Sequence, residues 1–216
     1  MEILTEKGGC ELVQCKSDPC IFYKHDKKGN LIALFISYID DAVIGGPPAM
    51  VKKIKDHVSS RVEIVDIGKM DVHLSIHYKL KWDSQGPYFE CSMQDYVNKM
   101  VQRAEEIIGE PLKDHPTPGY PGKHLIANTG EKINESGYRT LVGKCLYGAI
   151  KVLPDCSNAV RDLCTHLANP GVLHWKAIKR LFGYLKYHYR PMKLRAPTEL
   201  RVTGFWDSDW ASDSED

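Results

Sequence analysis

Residues 31–44 hold two apolar runs split by a pair of acids: Leu31-Ile32-Ala33-Leu34-Phe35-Ile36-Ser37-Tyr38-Ile39, then Asp40-Asp41, then Ala42-Val43-Ile44. The first run is too continuously apolar for a strand with one wet face, so it reads as a central strand covered on both sides. The second stops at Gly45-Gly46-Pro47-Pro48, which no strand continues through. Two strands meeting at Asp40-Asp41 make a hairpin with its acids at the bend. Neighbouring strand residues point to opposite faces, so both carboxylates reach one place only if the backbone turns sharply there. Two anions that close repel unless water screens them or a cation binds. Magnesium takes one or two carboxylates plus substrate phosphates, the chemistry of two-metal phosphoryl transfer. On local residues alone an ordinary Asp-Asp turn is the simpler account, because aspartate favours turns.

Around this hairpin the pattern alternates between strand and helix. Cys20-Ile21-Phe22-Tyr23 reads as a strand, followed by a polar turn over residues 25–30. Val51, Ile54 and Val58 keep helical spacing, with Lys52, Lys53 and Lys55 facing away. Residues 62–65 and 72–82 read as strands, the second turning through Asp83-Ser84-Gln85-Gly86 into Tyr88-Phe89. His73 and His77 would then lie on one side of that strand, and with no third ligand evident, neutral imidazoles on a half-exposed face explain them more simply than a metal. Ser92 suits an N-cap for a helix with Met93, Tyr96, Val97, Met100, Val101 and Ala104 inward. Residues 109–135, rich in proline and glycine, form a long surface connector. Ser136 opens a helix with Tyr138, Leu141, Val142, Cys145 and Leu146 inward, and Pro154-Asp155 interrupts it. A further helical piece runs over 159–167, before Asn169-Pro170-Gly171. The clearest helix follows, with Leu173, Trp175, Ile178, Leu181, Phe182 and Leu185 on one face and Lys176, Lys179 and Lys186 mostly outside it.

The net charge of +1 conceals a segregation. Between Arg161 and Arg201 stand nine basic residues against two acidic ones, while the last ten residues carry five acids. The basic stretch, interleaved with aromatic residues, could lie along a phosphate backbone; a solvated helix face explains it equally well. Seven cysteines in a long chain suggest reduced intracellular thiols rather than a disulfide framework. Cys10, Cys15 and Cys20 recur at intervals too wide for paired zinc ligands, so buried small hydrophobes are the better reading. The longest apolar run spans six residues, far short of the ~20 of a membrane helix. The first residues have neither the basic start nor the apolar block of a signal peptide. The expectation is a protein with no membrane association, intracellular and cytoplasmic or nuclear.

The acidic hairpin, Tyr38-Ile39-Asp40-Asp41, closely resembles the Tyr-x-Asp-Asp hairpin of reverse transcriptases, and its surroundings narrow the likeness to the copia-type retrotransposon polyproteins. Ser17-Asp18-Pro19-Cys20-Ile21-Phe22 is similar to that family's Asp-x-Cys strand. Further blocks follow in order: Val65-Asp66-Ile67-Gly68, Tyr96-Val97-Asn98-Lys99-Met100, Thr117-Pro118, Tyr138-Arg139-Thr140-Leu141-Val142-Gly143-Lys144, Pro154-Asp155 and His174-Trp175-Lys176-Ala177. Phe205-Trp206-Asp207-Ser208-Asp209-Trp210-Ala211 resembles the opening of the adjoining ribonuclease H domain.

The resemblance implies an RNA-directed DNA polymerase (reverse transcriptase) working by two-metal nucleotidyl transfer on a template-primer duplex with deoxynucleotides. Asp40 and Asp41 would hold Mg2+ or Mn2+, Asp40 more directly, with Tyr38 beneath the primer end. Residues 66–78 would end the palm and support the primer strand. Lys176, Lys179, Arg180, Lys186 and Arg190 would hold backbone phosphates, and Asp207 would be a ribonuclease H remnant. The expected fold is α+β: a partial palm (antiparallel sheet with helices) over 1–91, a helical thumb and connection over 92–196 containing the 109–135 connector, and the first strand of a truncated ribonuclease H domain over 197–216.

Several departures accompany the likeness. Only sixteen residues precede Ser17, no candidate stands where the family has a third palm carboxylate, Ser75 replaces a usual glycine, and Thr-Arg is missing before Pro154-Asp155. The chain is therefore expected to be a fragment inactive by itself, because a missing ligand and missing fingers remove electrostatic stabilisation and positioning together. Apolar surface where those parts would pack is expected to favour self-association or the missing polyprotein regions as partners. The alternative is a non-catalytic nucleic-acid-binding or protein-interaction module derived from such a polymerase. An RNA-recognition domain is disfavoured, since no aromatic strand pair of the base-stacking kind is present.

Overall fold

A computed structural model describes residues 2–122, 124–131, 133–196 and Gly204. The expected ribonuclease H strand over 197–216, with Asp207, lies outside the described residues. Contacts divide the chain into Met1–Met70 and Asp71–Asp216, so the strands following Met70 group with the helical part rather than with the hairpin, unlike the expected division after residue 91. Both units mix helix with an antiparallel four-stranded sheet, which makes the protein α+β.

In the first unit the sheet order is β1 (Val13–Gln14), β2 (Ile21–His25), β3 (Leu31–Tyr38) and β4 (Asp41–Gly45). The unit also contains α1 (Glu2–Thr5) and α2 (Pro48–Ser59). Pro48 opens α2, where its missing N–H and fixed φ suit the first helical turn. Register separates the two faces of the sheet. Phe22 pairs with Phe35, and Phe35 with Ile44. This face meets Ile54 of α2, together with Leu4, Cys10, Leu12 and Ala33, in one apolar core. The opposite face carries Leu34, Ile36 and Val43, all half-buried. β3 is thus interior to its sheet but covered on one side, not on both as its unbroken apolar run suggested. Residues 62–65, expected as a strand, form no regular element; Val65 is 85% exposed.

The second unit joins β5 (Val72–His73), β6 (Ile76–Asp83), β7 (Gly86–Ser92) and β8 (Met192–Leu194) in that order. Its helices are α3 (Gln94–Ile108), α4 (Glu135–Lys151), α5 (Ser157–Thr165) and α6 (Val172–His188), with a 3-10 turn at Pro154–Cys156. One core unites them: Ile76 and Cys91 from the sheet, Val97 and Met100 from α3, Tyr138, Leu141 and Cys145 from α4, and Ile178, Leu181 and Phe182 from α6.

Several local expectations shift by a residue or change face. α3 is entered through Met93 rather than Ser92, although the Ser92 hydroxyl still accepts from the Gln94 N–H at 3.3 Å. α4 is capped by Asn134, whose Oδ1 accepts from the Gly137 N–H at 3.0 Å. Leu146 and Leu173, expected inward, are 40% and 54% exposed. His73 and His77 do not share a strand, because a turn between them places them on β5 and β6, with Val72 opposite His77. All seven cysteines are free thiols; Cys10 is buried, Cys15 half-buried and Cys20 exposed, so only the first fits the buried reading. No helix among the described residues is long and apolar enough to cross a membrane.

Candidate functional site

The pairing of Tyr38 with Asp41 closes the β3–β4 hairpin in two residues, Ile39 and Asp40. Asp40 sits in the turn and Asp41 opens β4. Register puts Tyr38 and Asp41 on the face of Ile36 and Val43, opposite the face that α2 covers. Tyr38, Asp40 and Asp41 are all exposed. The turn is bought with strain, because Ile39 has φ +52° and is 88% exposed. A branched side chain rarely adopts that conformation, and two-residue hairpins with positive φ at their first central position normally place glycine there. The apolar pairs behind the turn hold it in place, with Ser37 opposite Ala42 and Ile36 opposite Val43.

Asp40 and Asp41 could supply carboxylate oxygens to a hard divalent ion whose shell is completed by water or phosphate. They do not form an all-protein cage. Among the described residues no group of three or more His, Cys, Asp or Glu side chains is arranged to hold a metal ion. Asp66 serves otherwise: its Oδ1 accepts from Lys55 Nζ at 2.7 Å and from the Gly68 N–H at 2.9 Å. Those bonds, Lys55 first, hold its carboxyl below the usual carboxylate range.

The five basic residues expected on phosphates lie in the second unit, on or just beyond α6. Lys176 and Arg190 are exposed. Lys179 pairs with Glu110 at 2.5 Å and Lys186 with Glu105 at 2.7 Å. Arg180 donates to the Gly119 carbonyl at 3.0 Å and to Thr117 Oγ1 at 2.6 Å, and its guanidinium lies 4.8 Å from the Tyr120 ring centre. Three of the five thus tie α6 to α3 or the connector. The same holds further along, where Arg195 makes a two-pronged contact with Asp83, 2.7 Å to each oxygen.

Other residues at notable positions escape sequence reasoning. Leu74 and Ser75, with φ +51° and +65°, form the tight β5–β6 turn without glycine. The Tyr147 hydroxyl donates to the Leu74 carbonyl at 3.0 Å and steadies it. His174 is buried; its Nδ1 accepts from the Gly171 N–H at 2.8 Å, which makes Nε2 the donor to the Ile126 carbonyl at 3.0 Å. His166 packs on it with ring centres 4.1 Å apart. A cleft of about 260 Å³ opens between α6 and the connector, where Lys113, His115 and Tyr120 join Lys176, Lys179 and Arg180. Connector residues show no periodicity, so only the basic half of this cleft was visible in the sequence.

The fold and hairpin define an α+β protein with a two-acid hairpin tip, and sequence comparison supplies its relatives. The chain is 25% identical over 203 residues to the Retrovirus-related Pol polyprotein from transposon TNT 1-94 of Nicotiana tabacum, covering 91% of this chain and 15% of that protein. It is 28% identical over 209 residues to the corresponding polyprotein from transposon RE1 of Arabidopsis thaliana, covering 94% of this chain and 13% of that protein. An uncharacterized mitochondrial protein of Arabidopsis thaliana, AtMg00810, is 24% identical over 176 residues, covering 81% of this chain and 70% of its own length. The chain therefore spans only 13–15% of the two polyproteins. No protein-family model and no solved structure matches it. These similarities support a retrotransposon-polyprotein origin for the chain.

Proposed function

We propose that the chain is a portion of an RNA-directed DNA polymerase of the copia type, with Asp40 and Asp41 as its metal-binding carboxylates. The observation that carries this reading is the two-residue turn that presents both acids at an exposed tip, in a chain similar to Pol polyproteins over about nine-tenths of its length. In that role the carboxylates hold Mg2+ or Mn2+, which supplies stabilisation of the attacking and leaving oxygens of nucleotidyl transfer. Tyr38, paired to Asp41 and on the same face, lines the place of the primer end. Lys176 and Arg190 offer exposed positive charge to a template-primer duplex.

Two carboxylates at one hairpin do not make a polymerase site, so the 216-residue chain alone is expected not to extend a primer. The test is primer extension on a homopolymer template with Mg2+, by the chain alone and by the chain joined to the upstream region of a related Pol polyprotein. The joined protein is expected to extend, and Asp40→Asn or Asp41→Asn to reduce that activity by roughly 10²-fold or more. Extension that survives both substitutions contradicts the reading. A second reading, a nucleic-acid-binding module without catalysis, draws on the exposed Lys176 and Arg190. Salt-dependent duplex binding, weakened by reversing those two charges, with no extension from the joined protein, supports it.

A further inference from the structure

The cleft between α6 and the connector combines three features that a solvated basic face lacks. First, its cations converge. Lys176, Lys179 and Arg180 share one face of α6 at helical spacing, Lys113 reaches the cleft from the connector, and Glu110 is the single lining carboxylate among the described residues. Glu110 is matched to Lys179, so the remaining charge is positive and concentrated within about 260 Å³.

Second, Arg180 is already fixed. Its Nε is spent on the Gly119 carbonyl, one Nη on Thr117 Oγ1, and the guanidinium rests near the Tyr120 ring. The other Nη carries no protein partner among the described residues. A held guanidinium forfeits little freedom when it takes an anion. Third, the walls include Ile108, Pro111 and Tyr120, the last 39% exposed, which suit a flat ring or a sugar rather than water. The His115 imidazole is consistent with this field. Burial lowers its pKa most and the Arg180 charge next, while Asp114 raises it and Lys113, the weakest influence, lowers it.

We propose that this cleft binds one phosphate-bearing nucleotide, its phosphate met by Lys176, Lys113 and Arg180 and its ring or sugar by the apolar wall. The volume suits a single nucleotide, and cations drawn into one cleft fit a phosphate better than an extended acidic chain. The choice of nucleotide over other phosphates rests on the polymerase-related reading above. The occupant is either a free nucleotide or the phosphorylated end of a strand.

The full chain is titrated with adenosine 5′-monophosphate, inorganic phosphate and adenosine, followed by calorimetry and by the His115 imidazole signals in proton NMR. Binding of the monophosphate at about 1 mM or tighter is expected, with adenosine at least about tenfold weaker. Both phosphates should raise the His115 pKa by offsetting its positive neighbours. Lys176→Gln should weaken monophosphate binding about tenfold while Lys176→Arg preserves it; Lys176 is exposed, so neither change threatens folding. A strong preference for a 5′-phosphorylated over a 5′-hydroxyl oligonucleotide assigns the cleft to strand ends, and monophosphate binding without that preference assigns it to free nucleotides. An unmoved His115, equal binding of adenosine, or an unaffected Lys176→Gln variant each overturns the proposal. Monophosphate binding in a joined protein that fails to extend removes the polymerase reading and leaves the cleft standing; the converse removes the cleft alone.

Discussion

Ile39 is the residue at which local preference and the fold disagree most plainly. Its φ of +52° belongs to glycine, yet its side chain is 88% exposed and gains nothing from burial. Left-handed backbone costs a residue of this kind roughly 1–2 kcal/mol, and strain of this sort clusters at functional turns. Ile39→Gly is therefore expected to leave stability unchanged or raise it by up to about 1 kcal/mol in urea unfolding. A loss of stability would show that the side chain packs or that the turn is relaxed. The acids beside it were legible, since aspartates between apolar runs signal a bend. The strain was not, because composition says nothing about which turn residue takes the positive φ. His174 was equally hidden: a histidine among apolar helix positions reads as ordinary until Gly171 and Ile126 are seen bonded to its two nitrogens.

Among the elements, the connector over residues 109–134 and helix α6 depend on each other. Among its described residues the connector forms no helix or strand, yet it is closely packed. Leu112 is buried, its N–H donates to Glu105 Oε1 at 3.0 Å, and Lys113 passes directly over Gly183. A Cβ at Gly183 would run into the Lys113 carbonyl. Gly183→Ala should accordingly cost roughly 1–3 kcal/mol despite alanine's better helix propensity, read as a lower midpoint in thermal unfolding; a gain would mean that the connector yields freely.

The same junction carries a pH signature. The bonds from Lys186 and the Leu112 N–H hold Glu105 below its ordinary value of 4.5. Folding thus favours its ionised form. The corresponding stability is present above that value and is lost as pH falls through the lower, folded one. Glu105→Gln should be less stable than the natural chain at neutral pH and should lose less on acidification from about pH 5 to about pH 3. Parallel pH profiles for the two proteins would contradict this. Helices α2, α3, α4 and α6 were legible from apolar spacing, whereas β8 was not: three residues of mixed character become a strand only because β7 offers an edge, with Glu90 opposite Lys193.

Across the whole molecule, charge and apolar surface are the informative quantities. Part of the basic excess that looked like a phosphate-binding stripe is taken up inside the second unit, where Lys179, Lys186 and Arg195 pair with Glu110, Glu105 and Asp83. The sequence shows how many cations there are but not how far their partners lie: Lys186 and Glu105 are 81 positions apart. The first unit leaves β3 covered on one face and exposes Tyr38, Ile39, Val65 and Ile67. That was only half legible, since a continuous apolar run reports the demand for cover and not whether this chain supplies it.

In the proposed role, Asp40 and Asp41 together hold a divalent ion. The decisive experiment adds Mn2+ to isotope-labelled protein and maps paramagnetic line broadening along the backbone. Broadening is expected to centre on the β3–β4 turn, to be competed by Mg2+ and to vanish in Asp40→Asn/Asp41→Asn. Broadening that spares the turn, or that persists unchanged in the double variant, would contradict it.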